Sequence, residues 1–159
     1  MEHLEYMERE AAKNIDFHID NMECLNREAH VTLSFLFLVV SASFAGVIKL
    51  IEEREELAFW LSLLVVCAYL ALLGAYLTWK CLMAKPAQPP SNEPKNLKLQ
   101  KGYSSQEIRE TELENLQVRI DYNQKRNEDC GRHLNRVRML ICATPIVALL
   151  TVLILFGFL

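Results

Sequence analysis

Three stretches of the sequence, residues 31–48, 57–79 and 139–159, contain no Asp, Glu, Lys or Arg. All 37 such residues fall on the other 97 positions of the 159, which are therefore about 38% charged. That segregation excludes an ordinary soluble core, although the net charge of -3 and a mean hydropathy of +0.10 would pass for one. The first thirty residues are acidic and polar and lack the basic start and early apolar run of a secretory signal, so no cleavable leader is expected. The five cysteines form no CxxC pair, which leaves neither a disulfide framework nor a zinc site indicated. No glycine-rich phosphate loop is present, so no nucleotide cofactor is inferred. Ionisable groups deep in the apolar stretches are missing too. Only Lys49 approaches, near an end where it can snorkel, and this argues against a coupled transporter or proton pump.

The three uncharged stretches are long enough to cross a bilayer, whose core of about 30 Å takes roughly 20 apolar residues in a helix. In the second, Trp60 and Trp79 stand nineteen residues apart, about 28 Å, which suits indoles at the two interfaces. A chain this short could not cover three such helices with protein of its own. Basic residues set the expected orientation. Three precede the first span (Arg9, Lys13, Arg27), two follow it (Lys49, Arg54), twelve lie between Lys80 and Arg138, and none follows the third span. The N-terminus and the long middle segment are therefore expected in the cytoplasm, with the Glu52-Glu53-Arg54-Glu55-Glu56 turn and the C-terminus outside. The expected location is the inner (plasma) membrane. Cys24, Cys81 and Cys130 then sit on the reducing side, and Cys67 and Cys142 within spans.

These readings give an all-α integral membrane protein with three transmembrane helices, two of them extended into the cytoplasm as long helical arms. An amphipathic helix over 1–30 leads into a transmembrane hairpin at 31–80, with spans at 31–51 and 57–79. A Pro-rich linker at 81–103 contains Pro86, Pro89, Pro90 and Pro94. A coiled-coil-like helix at 104–138 precedes the third span at 139–159. Ser104 with Glu107 fits a capping box, and Tyr103 with Ile108 a hydrophobic staple. Leu113, Leu116, Ile120, Asn123, Asn127, Cys130, Leu134, Val137 and Ile141 then recur at alternating steps of three and four. A second seam runs through Leu4, Ala11, Ile15, His18, Met22, Leu25 and Ala29. Both arms lead into the membrane from one side, so they are parallel neighbours by topology. A weak internal repeat, residues 14–20 against 115–121 and 25–27 against 134–136, has offsets of 101 and 109. Residues 16–30 are acidic and 125–138 basic, which favours the pairing.

His18, Asn123 and Asn127 interrupt the seams in roughly one layer. Polar residues at core positions set register, and a layer of imidazole and amides is also a candidate sensing site for a small polar ligand or a proton. Arg132, Arg136 and Arg138 are candidate contacts to anionic lipid heads. The small-residue pairs Ala42 with Gly46 and Ala71 with Ala75 allow close helix approach. Pro145 is expected to kink the third span. Ser34, Ser41, Ser43, Thr144 and Thr151 could line a narrow pore, or bond to the preceding helical turn. Arg126-Asn127 followed by His133 resembles the Arg-x6-His motif of HEPN ribonucleases over eight residues. Those domains are soluble bundles and this motif abuts a span, so no catalytic residue, no enzyme activity, no metal and no nucleic-acid partner is expected.

A cytoplasmic helix, a two-span hairpin with a minimal outer turn and a further cytoplasmic helix resemble, over residues 1–135 and in layout, the small two-span effectors of bacterial conflict systems of the SLATT kind. The third span departs from that pattern. The resemblance implies a homo-oligomeric membrane effector in antiviral defence that permeabilises the membrane on a cytoplasmic signal. A phage holin of three spans would place its N-terminus outside, opposite to the charge distribution here. The expected partners are membrane lipid, further copies of the chain, and a cytoplasmic protein or small-molecule signal, with no cofactor. A membrane scaffold or accessory subunit that recruits a cytoplasmic partner is the alternative.

Overall fold

The computed structural model describes residues 2–53, 56–83, 87–91 and 102–158. Among them every regular element is a helix. Helix α1 (Glu2–Glu52) runs 51 residues without a break, since its sequence has no proline and a single glycine. Helix α2 (Leu57–Leu77) continues into a π-helical turn, Thr78–Leu82. Helices α3 (Ser105–Cys142) and α4 (Thr144–Phe158) complete the chain. Helices α1 and α2 are each long and apolar enough to cross a membrane. A third crossing is available only if α3 and α4, bent by 47°, count as one span.

The bend is the kink expected from Pro145, and it divides 139–159 between two helices. Pro145 has no N–H to donate, so the ladder of α3 stops two residues earlier. There the Ala143 N–H is shared between the carbonyls of Met139 and Leu140, both at 3.1 Å, and the Ala143 carbonyl starts α4 by accepting from Ile146 and Val147. Alone, the 15 residues of α4 reach about 22 Å, short of a bilayer core. The 81–103 linker also starts later than expected, because Cys81 and Leu82 belong to the π turn. That turn has a local cause. The Thr78 hydroxyl donates to the Gly74 carbonyl at 2.9 Å, and the widened turn closes with Met83 N–H donating to the Thr78 carbonyl at 2.8 Å. The rest of the linker lies largely outside the described residues, as do Arg54 and Glu55 of the Glu-rich turn.

The chain folds as two compact units. The first contains residues 1–25 and 84–130. Its seam is the one the spacing predicts, with Ile15 and Ile120 almost wholly buried and Asn123, Asn127 and Cys130 buried beside them. Glu8 receives two hydrogen bonds from Arg109, from Nε at 2.8 Å and Nη2 at 2.6 Å, and Asn127 reaches the backbone of His18. Both pairs ascend together, so α1 and α3 run parallel in this unit. The start of α3 is a capping box: Glu107 N–H donates to Ser104 Oγ at 3.2 Å, and Ser104 N–H to Glu107 Oε2 at 2.8 Å. Tyr103 keeps 66% of its surface open, so the staple half of that start buries little.

The second unit contains residues 26–83 and 131–159. Here α1 and α2 are antiparallel. A Cβ on Gly46 would stand 3.0 Å from Leu63 and one on Gly74 3.5 Å from Leu33, and the Cys67 thiol donates to the Val40 carbonyl at 3.6 Å. Gly46 is thus a close-approach residue as expected, joined by Gly74. Ala42, Ala71 and Ala75 instead lie exposed on the outer faces, because this pairing turns Leu36, Val47, Val66, Cys67 and Leu70 inward.

Two carboxylates make the first unit sensitive to acid. The two Ser104 hydrogen bonds hold the Glu107 carboxyl below its ordinary value, and the Arg109 guanidinium does the same for Glu8. A depressed folded-state pKa contributes stability that is present above the ordinary carboxylate value and lost as pH falls through the depressed one. Amide exchange at residues 105–109 is therefore expected to speed up below the normal Glu titration range, and Glu107→Gln to remove most of that pH dependence.

Candidate functional site

Asn123 and Asn127 of the predicted polar layer are buried and bond to backbone of the chain. Asn123 holds the whole peptide of Gln88: its Oδ1 accepts from the Gln88 N–H at 3.0 Å, and its Nδ2 donates to the Gln88 carbonyl at 3.2 Å. A linker residue is thereby tied to α3. Asn127 Nδ2 donates to the His18 carbonyl at 2.7 Å, which joins α3 to α1. Both amides hydrogen-bond to backbone, which suits residues that set register. His18 contributes its carbonyl, and its ring stacks edge-on against Phe17 at 5.4 Å. The ring Nδ1 of His18 and Nη1 of Arg126 are buried polar atoms of this unit without a hydrogen-bond partner.

In the second unit two tyrosines stitch α2 to the end of α3. Tyr76 Oη lies 2.7 Å from His133 Nδ1, with the rings edge-on at 5.6 Å, and Tyr69 Oη donates to the Leu140 carbonyl at 2.9 Å. Both partnerships step by seven residues in opposite directions, so α2 and α3 are antiparallel and in one register. The sequence signal was available: two tyrosines seven apart in an otherwise apolar span.

The register carries a consequence for charge. Extending it opposes Arg132 to Leu77, Arg136 to Leu73 and Arg138 to Ala71. Arg138 therefore starts eight residues, about 12 Å, nearer the middle of α2 than Trp79 does. Side chains on a helix lean toward its N-terminus, so this arginine reaches back out of the apolar zone. It ends 3.0 Å from Glu28, with both side chains somewhat under half exposed. Of the three candidate lipid-contact arginines, Arg138 pairs with Glu28, and all three are exposed along α3.

Of the hydroxyls in the apolar helices, Thr144 Oγ1 is buried without a hydrogen-bond partner, and three others bond to their own helix. Thr32 donates to the Glu28 carbonyl, Ser62 to Ala58 and Thr151 to Val147 and Ala148. Among the described residues no group of three His, Cys, Asp or Glu side chains is arranged to hold a metal. In comparisons with known proteins, no family model, no curated protein and no solved structure matches the chain.

Proposed function

We propose that this protein is a homo-oligomeric membrane effector. Its helical arms lie in the cytoplasm and receive a partner protein or small-molecule signal, and its spans form or gate a pore in the inner membrane. The observation that carries the reading is that α1 and α3 each run unbroken from the arm unit into the second unit. Continuous helix thus connects each arm to a span. The break at Ala143 supports it, since a bent third span has a place to change angle. So does the uncovered apolar surface of the second unit, including Phe35, Phe37, Leu72 and Leu149, which suits lipid or further copies of the chain. The SLATT-like layout points to antiviral defence as the setting. Orientation follows from the basic middle segment, and no catalysis is assigned.

Cells expressing the protein, with and without infection as a trigger, are expected to lose membrane potential and admit dye only when triggered. Intact potential under every condition would remove the pore. The scaffold reading is favoured by one observation: the amides of the arm layer and the hydroxyls of Thr32, Ser62 and Thr151 hydrogen-bond within the chain. Under that reading, crosslinking of the full-length protein captures a cytoplasmic enzyme and membrane potential never changes.

A further inference from the structure

Thr32, Ser62, Thr78 and Thr151 each donate a hydroxyl to the carbonyl four residues earlier, at 2.9, 2.6, 2.9 and 3.0 Å. Thr144 does not: its Oγ1 is buried and has no hydrogen-bond partner. The carbonyl four residues before it, that of Leu140, is already full. It accepts from the Ala143 N–H at 3.1 Å and from the Tyr69 hydroxyl at 2.9 Å, and a carbonyl oxygen has two lone pairs. A side chain of α2 thus occupies the acceptor through which α3 and α4 would rejoin across Ala143. The far end of the bend is held as well, where Phe156 stands edge-on to Phe59 with ring centroids 5.1 Å apart. Phe156 is sixteen residues beyond Leu140, about 24 Å along a straight helix, whereas Phe59 is only ten residues from Tyr69, about 15 Å. Both contacts can be made together only because the chain turns by 47° between Leu140 and Phe156.

We infer that the Tyr69 hydroxyl is a catch that holds the third apolar segment bent, and that its release lets α3 and α4 rejoin as one helix. On release, the Ala143 N–H settles on the Met139 carbonyl that it already shares. The Thr144 N–H and hydroxyl then take the two lone pairs of the Leu140 carbonyl, as the helical ladder and the four-residue back-bond require. Leu140 keeps two donors throughout, and the buried Thr144 hydroxyl gains the partner that the Tyr69 hydroxyl gives up. The two arrangements are therefore close in free energy, as a two-position element requires. A shallower kink remains in the rejoined helix, because Pro145 has no N–H for the Ile141 carbonyl. Rejoining draws Phe156 off Phe59 by roughly 9 Å, the difference between the two lengths. The catch is read from the second unit alone. Its use as a gate rests on the membrane-effector reading above, to which it adds the residues that set the angle of the third span.

The test uses the full-length protein in phosphatidylcholine vesicles, with nitroxides carried on p-acetylphenylalanine at Leu57 and Leu153, which are 46% and 60% exposed near the ends of α2 and α4. Pulsed electron paramagnetic resonance reads the distance between them. The otherwise unsubstituted chain is expected to give one short distance. Tyr69→Phe, which keeps the ring and removes the hydroxyl, is expected to move most of the population about 5–10 Å longer with helical circular dichroism intact. Thr144→Val alone is expected to stay bent, and Tyr69→Phe with Thr144→Val to restore most of the bent population, since valine offers the Leu140 carbonyl no hydroxyl. Thr151→Val, which removes a hydroxyl from α4 away from the bend, is expected to leave the distance unchanged. An unchanged distance in Tyr69→Phe overturns the catch. A double variant as open as Tyr69→Phe overturns the exchange with Thr144. Dye release from vesicles carrying the same variants separates catch from gate: a lengthened distance without added release removes the pore and leaves the catch, whereas added release without lengthening overturns the catch.

Discussion

Arg138→Ala is expected to cost the second unit about 2–3 kcal/mol when unfolding is followed in bicelles, because it removes the ion pair to Glu28 where the membrane reading puts the edge of the apolar zone. The comparison value makes the experiment decisive. In water a pair as exposed as this one, 45% and 44% by side chain, contributes under about 1 kcal/mol. The larger figure belongs only to a pair that lipid surrounds, where no water replaces the lost partner. The double variant Glu28→Gln with Arg138→Gln removes both charges and is expected to recover most of the loss. A drop below about 0.5 kcal/mol for Arg138→Ala would place the pair in water. It would also overturn the membrane depth that the Tyr69 and Tyr76 register assigns to this part of α3.

In the arm unit, Ile120→Ala and Ile15→Ala are each expected to destabilise by about 2–5 kcal/mol, the range for removing a fully buried branched side chain. Ile15 is 0% and Ile120 2% exposed, with seam residues above and below that cannot relax far. Phe17→Ala and Val118→Ala, at 63% and 68% exposed, are the matched controls and are expected to change stability by under about 0.5 kcal/mol. Amide exchange across residues 8–25 and 109–130 of the full-length protein gives the readout. Equal effects at seam and control positions would show that the two arms do not bury this seam against each other.

The seam positions were legible because burial in a helix pair follows a spacing of three and four, and the buried set from Ile120 through Val137 falls on it. The capping box was legible for a related reason: Ser104 and Glu107 satisfy each other's backbone within one turn, so no distant part of the chain is needed. Ala42, Ala71 and Ala75 show where such reading stops. Small residues four apart permit close approach, yet the rotation of each helix decides which small residue is used, and here it selected Gly46 and Gly74. The offset of the arms was only partly readable. His18 with Asn127 and Glu28 with Arg138 have offsets of 109 and 110, near the second repeat offset, while Glu8 with Arg109 keeps the first, 101.

The order of residues along the chain settles that it is helical and that its helices are apolar enough to cross a membrane. Charge exclusion and helical periodicity are properties of consecutive residues, and no fold is needed to state them. Packing decides the rest: that Asn123 and Asn127 hydrogen-bond to the chain's own backbone, that His133 meets Tyr76, and that Arg138 pairs with Glu28. Each depends on which residue of a distant helix arrives opposite. That is set by the rotation and register of whole helices, to which the residues hundreds of bonds apart along the chain contribute jointly.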